Sequence, residues 1–254
     1  SDDPVQTRIY NDTVDLDIRV YEGPRYTLNR IILKGNDVTN DKVVRREIRT
    51  KPGQIFSKEA LIRSTREISQ LGNFDEQKTE PRPTNINPSD GTVDIIYNVV
   101  EKPSDQIELS GGFGGGQLVG TLGLTFNNFS LRNIFHLKEY RPLPKGDGQK
   151  LSIRGQSSGR IYQNYSFTFT EPWLGGKKPI FFSLSAYTQL SSTGQYYVKS
   201  DPRYNNLRIN GIGVTLGKRL NGPDNYVQLN YSVNFDHDSL GNYRGYIFTN
   251  GTSY

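Results

Sequence analysis

The sequence predicts two units in series. A small α+β module of strand–helix–helix–strand–strand order comes first, and the antiparallel strands of a transmembrane β-barrel follow. Three observations predict this. The composition changes abruptly near Lys102-Pro103: residues 1–103 hold 16 basic and 17 acidic side chains, 5 glycines and 6 aromatics, whereas 104–254 hold 15 basic, 9 acidic, 21 glycines and 23 aromatics. Before that point the hydrophobic period switches from 2 to 3.6 and back; after it, short stretches of strict alternation recur between Gly-rich breaks. No run approaches the roughly 20 apolar residues of a membrane-spanning helix. The mean hydropathy of −0.65 does not exclude a barrel, because every second barrel residue faces a polar lumen.

The elements follow in order. "DTVDLDIRVYEG" alternates Val14, Leu16, Ile18 and Val20 with polar residues and reads as a strand ended by Gly23-Pro24. "YTLNRIILKGN" is the next strand, closed by Gly35-Asn36. Asn40 or Thr39 caps an expected helix carrying Val43, Val44 and Ile48, with Pro52-Gly53 as its end; Ser57 caps a second one with Leu61, Ser64 or Thr65, Ile68 and Leu71 on one face and Gly72 at C′. An extended stretch from Phe74 contains "EPRP", whose prolines fit only an edge strand. "TVDIIYNVVEKP" closes the unit and parallels "TVDLDIRVYEGP", so residues 1–23 read as the tail of a preceding copy and 24–103 as a complete one.

In 104–254 seven alternating strands are expected, centred on Ile107–Phe113, Leu118–Phe126, Leu151–Ile153, Tyr165–Phe169, Phe182–Ala186, Leu207–Lys218 and Val227–Phe235. The phase of the sixth slips at Gly211, which predicts a bulge or a late strand start. "GNYRGYIFTNGTSY" reads as a loop running into another strand, so the barrel is expected to be only partly present. With no Met, the chain reads as a piece or a processed product.

Catalytic chemistry has no visible basis. There is no Cys, only two well-separated histidines (His136 and His237), no metal-ligand spacing and no phosphate-binding glycine motif. The expectation is no enzyme, no cofactor and no metal. The basic excess is scattered rather than clustered, which argues against nucleic acid.

The elements "LKGN", "REI", "KPGQIFS" and "LGNFD" in 24–103 resemble a POTRA domain, a polypeptide-transport-associated module, and "FTEPWL" with its flanking strands resembles the barrel of BamA-like outer-membrane assembly factors. The resemblance implies an outer-membrane location with the POTRA module in the periplasm. It further implies the lipid bilayer, unfolded outer-membrane protein substrates and accessory lipoproteins as partners, and strand templating at a barrel seam. The expected pairing edge is Ile107, Glu108, Leu109, Ser110, Gly111, Gly112 and Phe113, whose glycines weaken packing; the bland reading is that Gly114–Gly116 merely turn the chain. Glu171, Pro172 and Trp173 read as a periplasmic turn with Trp173 as bilayer-interface anchor. Residues 130–148 read as an interfacial segment or docking surface, or else a disordered insertion. Two alternatives stay open at this point: a two-partner secretion transporter, and a soluble β-sandwich binding protein.

Overall fold

The computed structural model describes residues 5–10, 13–17, 23–114, 117–136, 140, 143–159, 161–192, 204–220 and 227–241. β1 (Val5–Tyr10) and β2 (Thr13–Asp17) form an antiparallel hairpin. β3 (Thr27–Lys34), α1 (Asp41–Arg45), α2 (Lys58–Gln70), β4 (Glu80–Asn87) and β5 (Thr92–Asn98) make the α+β module. Its three-stranded sheet has the order β3-β5-β4, with β3 parallel and β4 antiparallel to the central β5. Pro81 and Pro83 thus lie on an edge strand, as their missing N–H groups require.

Amphipathic spacing explains the packing. Leu61, Ser64 and Ile68 of α2 are buried on one face, and with Leu28, Val44, Ile48, Phe74, Val93, Ile95, Tyr97 and Val99 the apolar ones form the core. Ser57 caps α2 by accepting from the Ala60 N–H at 3.2 Å, and Gly72 follows it at φ +82°. α1 is shorter than its hydrophobic pattern suggests, ending at Arg45, with Ile48 reaching the core from the loop beyond. Asn40 occupies its N-cap without making a side-chain cap bond; the amide is used elsewhere, as described below.

Among the described residues, seven strands form the second unit: β6 (Gln106–Gly114), β7 (Gln117–Phe129), β8 (Gln149–Ser158), β9 (Tyr162–Glu171), β10 (Ile180–Ser192), β11 (Asn206–Arg219) and β12 (Gln228–Gly241). They pair antiparallel with their sequence neighbours in one sheet, β6 at one edge and β12 at the other. One cross-strand row reads Ile107, Leu124, Ile153, Phe167, Ala186, Ile212, Phe235; the adjacent row reads Glu108, Gly123, Arg154, Ser166, Tyr187, Gly211, Asp236. The first row is apolar throughout and the second polar or glycine.

The polar face is the sheltered one. Thr121 is 6% exposed while Leu122 beside it is 52% exposed, and Gly211 and Gly213 are buried while Ile212 is exposed. A soluble sandwich buries its apolar face against a second sheet, so this inverted pattern rules that reading out and fits a barrel wall with lipid outside and lumen inside.

The expected bulge at Gly211 is absent: β11 pairs in unbroken register with both neighbours over its whole length. The apolar phase changes because Leu207 and Ile209 take the polar face at the end of the strand farthest from the module. Crowding accounts for Gly211 there, since a Cβ would stand 2.2 Å from the Tyr187 ring and displace it. The strand expected within 242–254 lies outside the described residues, as do Gly115 and Gly116.

Candidate functional site

Two places combine exposed backbone or buried charge with a position between the units. The first is β6. All seven expected pairing residues, Ile107, Glu108, Leu109, Ser110, Gly111, Gly112 and Phe113, lie on this strand, which among the described strands pairs with β7 alone. Ile107, Leu109 and Phe113 are 76%, 83% and 78% exposed on the apolar face. Gly111 opposes Gly120 and Gly112 opposes Val119, so the middle of the β6–β7 pair has little side-chain packing. On the polar face Glu108 and Arg154 form an ion pair at 3.0 Å across Gly123. Both partners are about half exposed, so this clasp contributes little, about 0.2–1 kcal/mol.

The second is the junction between the α1 region and the near end of the sheet. Asn128, at the end of β7, donates to Thr39 Oγ1 at 2.8 Å, and Asn73 donates to the same oxygen at 2.9 Å. The Asn40 N–H donates to the Gly146 carbonyl at 2.9 Å and the Asn40 amide to Asp147 Oδ1 at 3.0 Å. This is where the missing cap of α1 went. Lys42 Nζ stands 3.1 Å from the same Asp147 oxygen, and Ser130 Oγ donates to the other at 2.5 Å. The glycines flanking Asp147 permit the approach: a Cβ on Gly146 would lie 2.9 Å from the Val38 carbonyl, and one on Gly148 2.7 Å from Val43. Burial opposes the charge on Asp147, but the Ser130, Lys42 and Arg132 groups prevail and hold its carboxyl below the ordinary range.

Trp173 completes the junction. Its indole N–H donates to Glu47 Oε1 at 2.7 Å, and the Arg46 guanidinium lies 5.5 Å from the centre of its ring. The indole N–H of Trp173, a residue type expected at the bilayer interface, is thus committed to the α+β module. Glu171 positions it by accepting from the Trp173 backbone N–H and from Gln149 Nε2, each at 2.8 Å. Pro172 begins the turn that places Trp173 beyond the end of β9. Burial pushes the Glu47 carboxyl up, with Glu67 adding to this and the Trp173 bond, Arg46 and Arg219 opposing. Burial likewise pulls Arg46 down, against Glu47, Glu171 and Asp147. Arg46 Nε and Nη2 make no hydrogen bond, so its charge is balanced by these carboxylates and the indole face.

Sequence reasoning missed this junction. Thr39, Asn40, Glu47, Asn128 and Asp147 are ordinary surface residue types, and α1 capping accounted for the first two. "KGDGQ" was the available signal, since an Asp between two glycines marks a close backbone approach. Among the described residues, no group of acids and histidines could hold a metal ion.

Comparison with known proteins agrees with these features. Residues 26–102 match the POTRA model, described as a surface antigen variable number repeat, and residues 145–252 match the Omp85 superfamily domain. The outer membrane protein assembly factor BamA of Buchnera aphidicola is 26% identical over 239 residues, covering 91% of this chain and 33% of that protein. BamA of Neisseria meningitidis is 28% identical over 162 residues, covering 63% of this chain and 18% of that protein. The chain therefore spans a third or less of the length of these relatives. The crystal structure of BamA from Haemophilus ducreyi lacking POTRA domains 1–3 superposes with a TM-score of 0.64 at 22% identity, covering 94% of this chain and 41% of that one. The α+β module is a POTRA domain, the sheet carries an Omp85 superfamily domain and forms part of a barrel wall, and the two in series are similar to BamA-like outer-membrane assembly factors.

Proposed function

We propose that the protein assembles other outer-membrane proteins, with β6 as the strand on which incoming substrate strands are templated, and that it is not an enzyme. The observation that carries this reading is the outer edge of β6, unpaired within the described sheet and glycine-rich at its centre. Such an edge offers N–H and C=O groups to another strand, whether the barrel's own or a substrate's. Each ladder bond contributes about 0.5–1.5 kcal/mol net, so a seam of a few weak bonds opens without unfolding the barrel. The POTRA module then stands in the periplasm, with unfolded outer-membrane proteins and accessory lipoproteins as partners. The β1–β2 hairpin, antiparallel like β4–β5 in the complete module, is what a preceding POTRA copy would end on.

The test uses the full-length protein in membranes. A disulfide between Ser110→Cys and a cysteine on the barrel's final strand should abolish insertion of substrate barrels, with recovery on reduction. Insertion at the normal rate through a locked seam would overturn strand templating. If the lock spares export of a secreted polypeptide and no insertion activity exists to be lost, the two-partner secretion reading is the correct one.

A further inference from the structure

The described residues between β7 and β8 form more than a simple hairpin turn. Leu131 to His136 form a single 3₁₀ turn, with helical residues Arg132–Phe135. Phe135 is 91% exposed and Leu131 is 50% exposed. This is no loose loop. Ser130 is fully buried, Asn133 N–H donates to Ser130 Oγ at 3.3 Å, and Tyr140 Oη donates to the Ile134 carbonyl at 2.7 Å. Two apolar side chains are thus held outward by a fixed backbone.

Their direction follows from the sheet. The Leu131 N–H donates to Gln149 Oε1 at 2.6 Å, and the Gln149 amide donates to Glu171, which stands opposite Phe182. Phe129, just before the turn, packs edge-on against Phe169 at 6.3 Å, and Phe169 opposes Leu184. Phe169, Leu184 and Phe182 belong to the apolar, outward face of the wall. The turn therefore lies on the lipid side of the rim nearest the POTRA module. Arg132, itself largely exposed, stays near Asp147 at 3.5 Å, beside the exposed apolar pair Leu131 and Phe135.

We infer that the Leu131–His136 turn is a membrane anchor, with Leu131 and Phe135 seated in the leaflet on the POTRA side. The occupant is lipid rather than protein because Phe129, next to the turn, packs against Phe169 of the wall's apolar band, and aromatic residues at that level suit the bilayer interface. The anchor is wired to the POTRA module: Ser130 and Asp147 brace the turn, and the same Asp147 holds Asn40 and Lys42. Seating the turn in lipid therefore fixes the height of α1 above the membrane. The inference rests on the barrel wall and not on templating at β6, so failure of one leaves the other standing.

Single cysteines for nitroxide labels test it in the full-length protein reconstituted in liposomes; this chain contributes no cysteine of its own. Labels go at Phe135→Cys and Leu131→Cys, with Phe167→Cys as lipid reference and Ile86→Cys, exposed on β4, as water reference. Both turn labels should be accessible to oxygen and shielded from a water-soluble nickel chelate, giving ratios several-fold above that at residue 86. Nickel accessibility equal to that at residue 86 would overturn the anchor. Shielding from both reagents would overturn it as well, because a protein partner then covers the turn.

Discussion

The two units alternate apolar and polar residues in the same way and resolve the alternation in opposite directions. In the POTRA module Ile95 and Tyr97 of β5 point into a core with Phe74 and Ile68 and are fully buried. In the barrel wall Ile212, Val214 and Leu216 alternate with equal regularity and point outward, while the glycines and hydroxyls between them are sheltered. Period alone cannot tell these cases apart; what differs is the solvent waiting on each side. Water surrounds the first sheet, so its apolar face needs helices. Lipid surrounds the second, so its apolar face needs nothing, and its polar face collects the close contacts such as Tyr187 over Gly211.

The largest effect should come from the module's core. Phe74→Ala removes a fully buried ring and should destabilise the POTRA module by about 3–5 kcal/mol, seen as loss of its cooperative unfolding transition while the barrel band on gels persists. A wall that unfolded along with the module would show that the two are one cooperative unit. Next comes a contrast between neighbours on β9. Phe167→Arg places a charge toward lipid and should cost about 2–4 kcal/mol near mid-membrane. Thr168→Arg, one residue along and facing the sheltered polar side, should stay within about 1 kcal/mol. Equal costs, measured by urea unfolding from lipid vesicles, would contradict the assignment of faces.

A smaller effect is expected at the contact joining the units. Trp173→Phe keeps a ring for Arg46 but removes the donor to Glu47 Oε1, leaving a buried carboxylate oxygen short of a partner at a cost of about 1–3 kcal/mol. Paired spin labels on α2 and on the β9–β10 turn should report a broader distance distribution. An unchanged distribution would mean that the Thr39, Asn40 and Asp147 bonds alone fix the module.

Much of this architecture was legible. The capping Ser57, the edge prolines of β4, the seven strands and their outward residues all follow from local rules of period, cap and donor count. The misses share one cause. Asn40 is a good helix cap by type, yet its amide bonds to Asp147, 107 residues away in sequence. Trp173 suits the bilayer interface by type, and the bond of its indole to Glu47, 126 residues away, is a further contact that local pattern does not show. Gly211 looked like a bulge because its obligation to be small comes from Tyr187 and Asp236 on neighbouring strands. Where a residue's role is set by a partner on another element, local pattern offers its second-best use instead.

The smallest effect expected is a pH dependence of docking, and its sign differs between two of the junction's carboxylates, Glu47 and Asp147. Glu47 has its pKa raised above 4.5 chiefly by burial, so the docked state holds that proton more tightly than the undocked one. This contribution favours docking at low pH and is lost as pH rises through the docked value. Asp147 is held below 3.8, its hydrogen bonds and cations outweighing burial, so its contribution is present above the undocked value and lost as pH falls through the docked one. On acidification from neutrality, docking should first tighten as Glu47 takes up a proton, then weaken once Asp147 does. The spin-label distribution should therefore be narrowest in the mildly acidic range, between the two titrations. Glu47→Gln, which still offers an oxygen to the Trp173 indole, should remove the tightening and leave the loss at low pH. Asp147→Asn should do the reverse, and in addition loosen docking at neutral pH, because Lys42 would lose its counter-charge. A profile that Glu47→Gln leaves unaltered would mean that Arg46 keeps Glu47 ionised throughout, and the burial argument at this contact would fail.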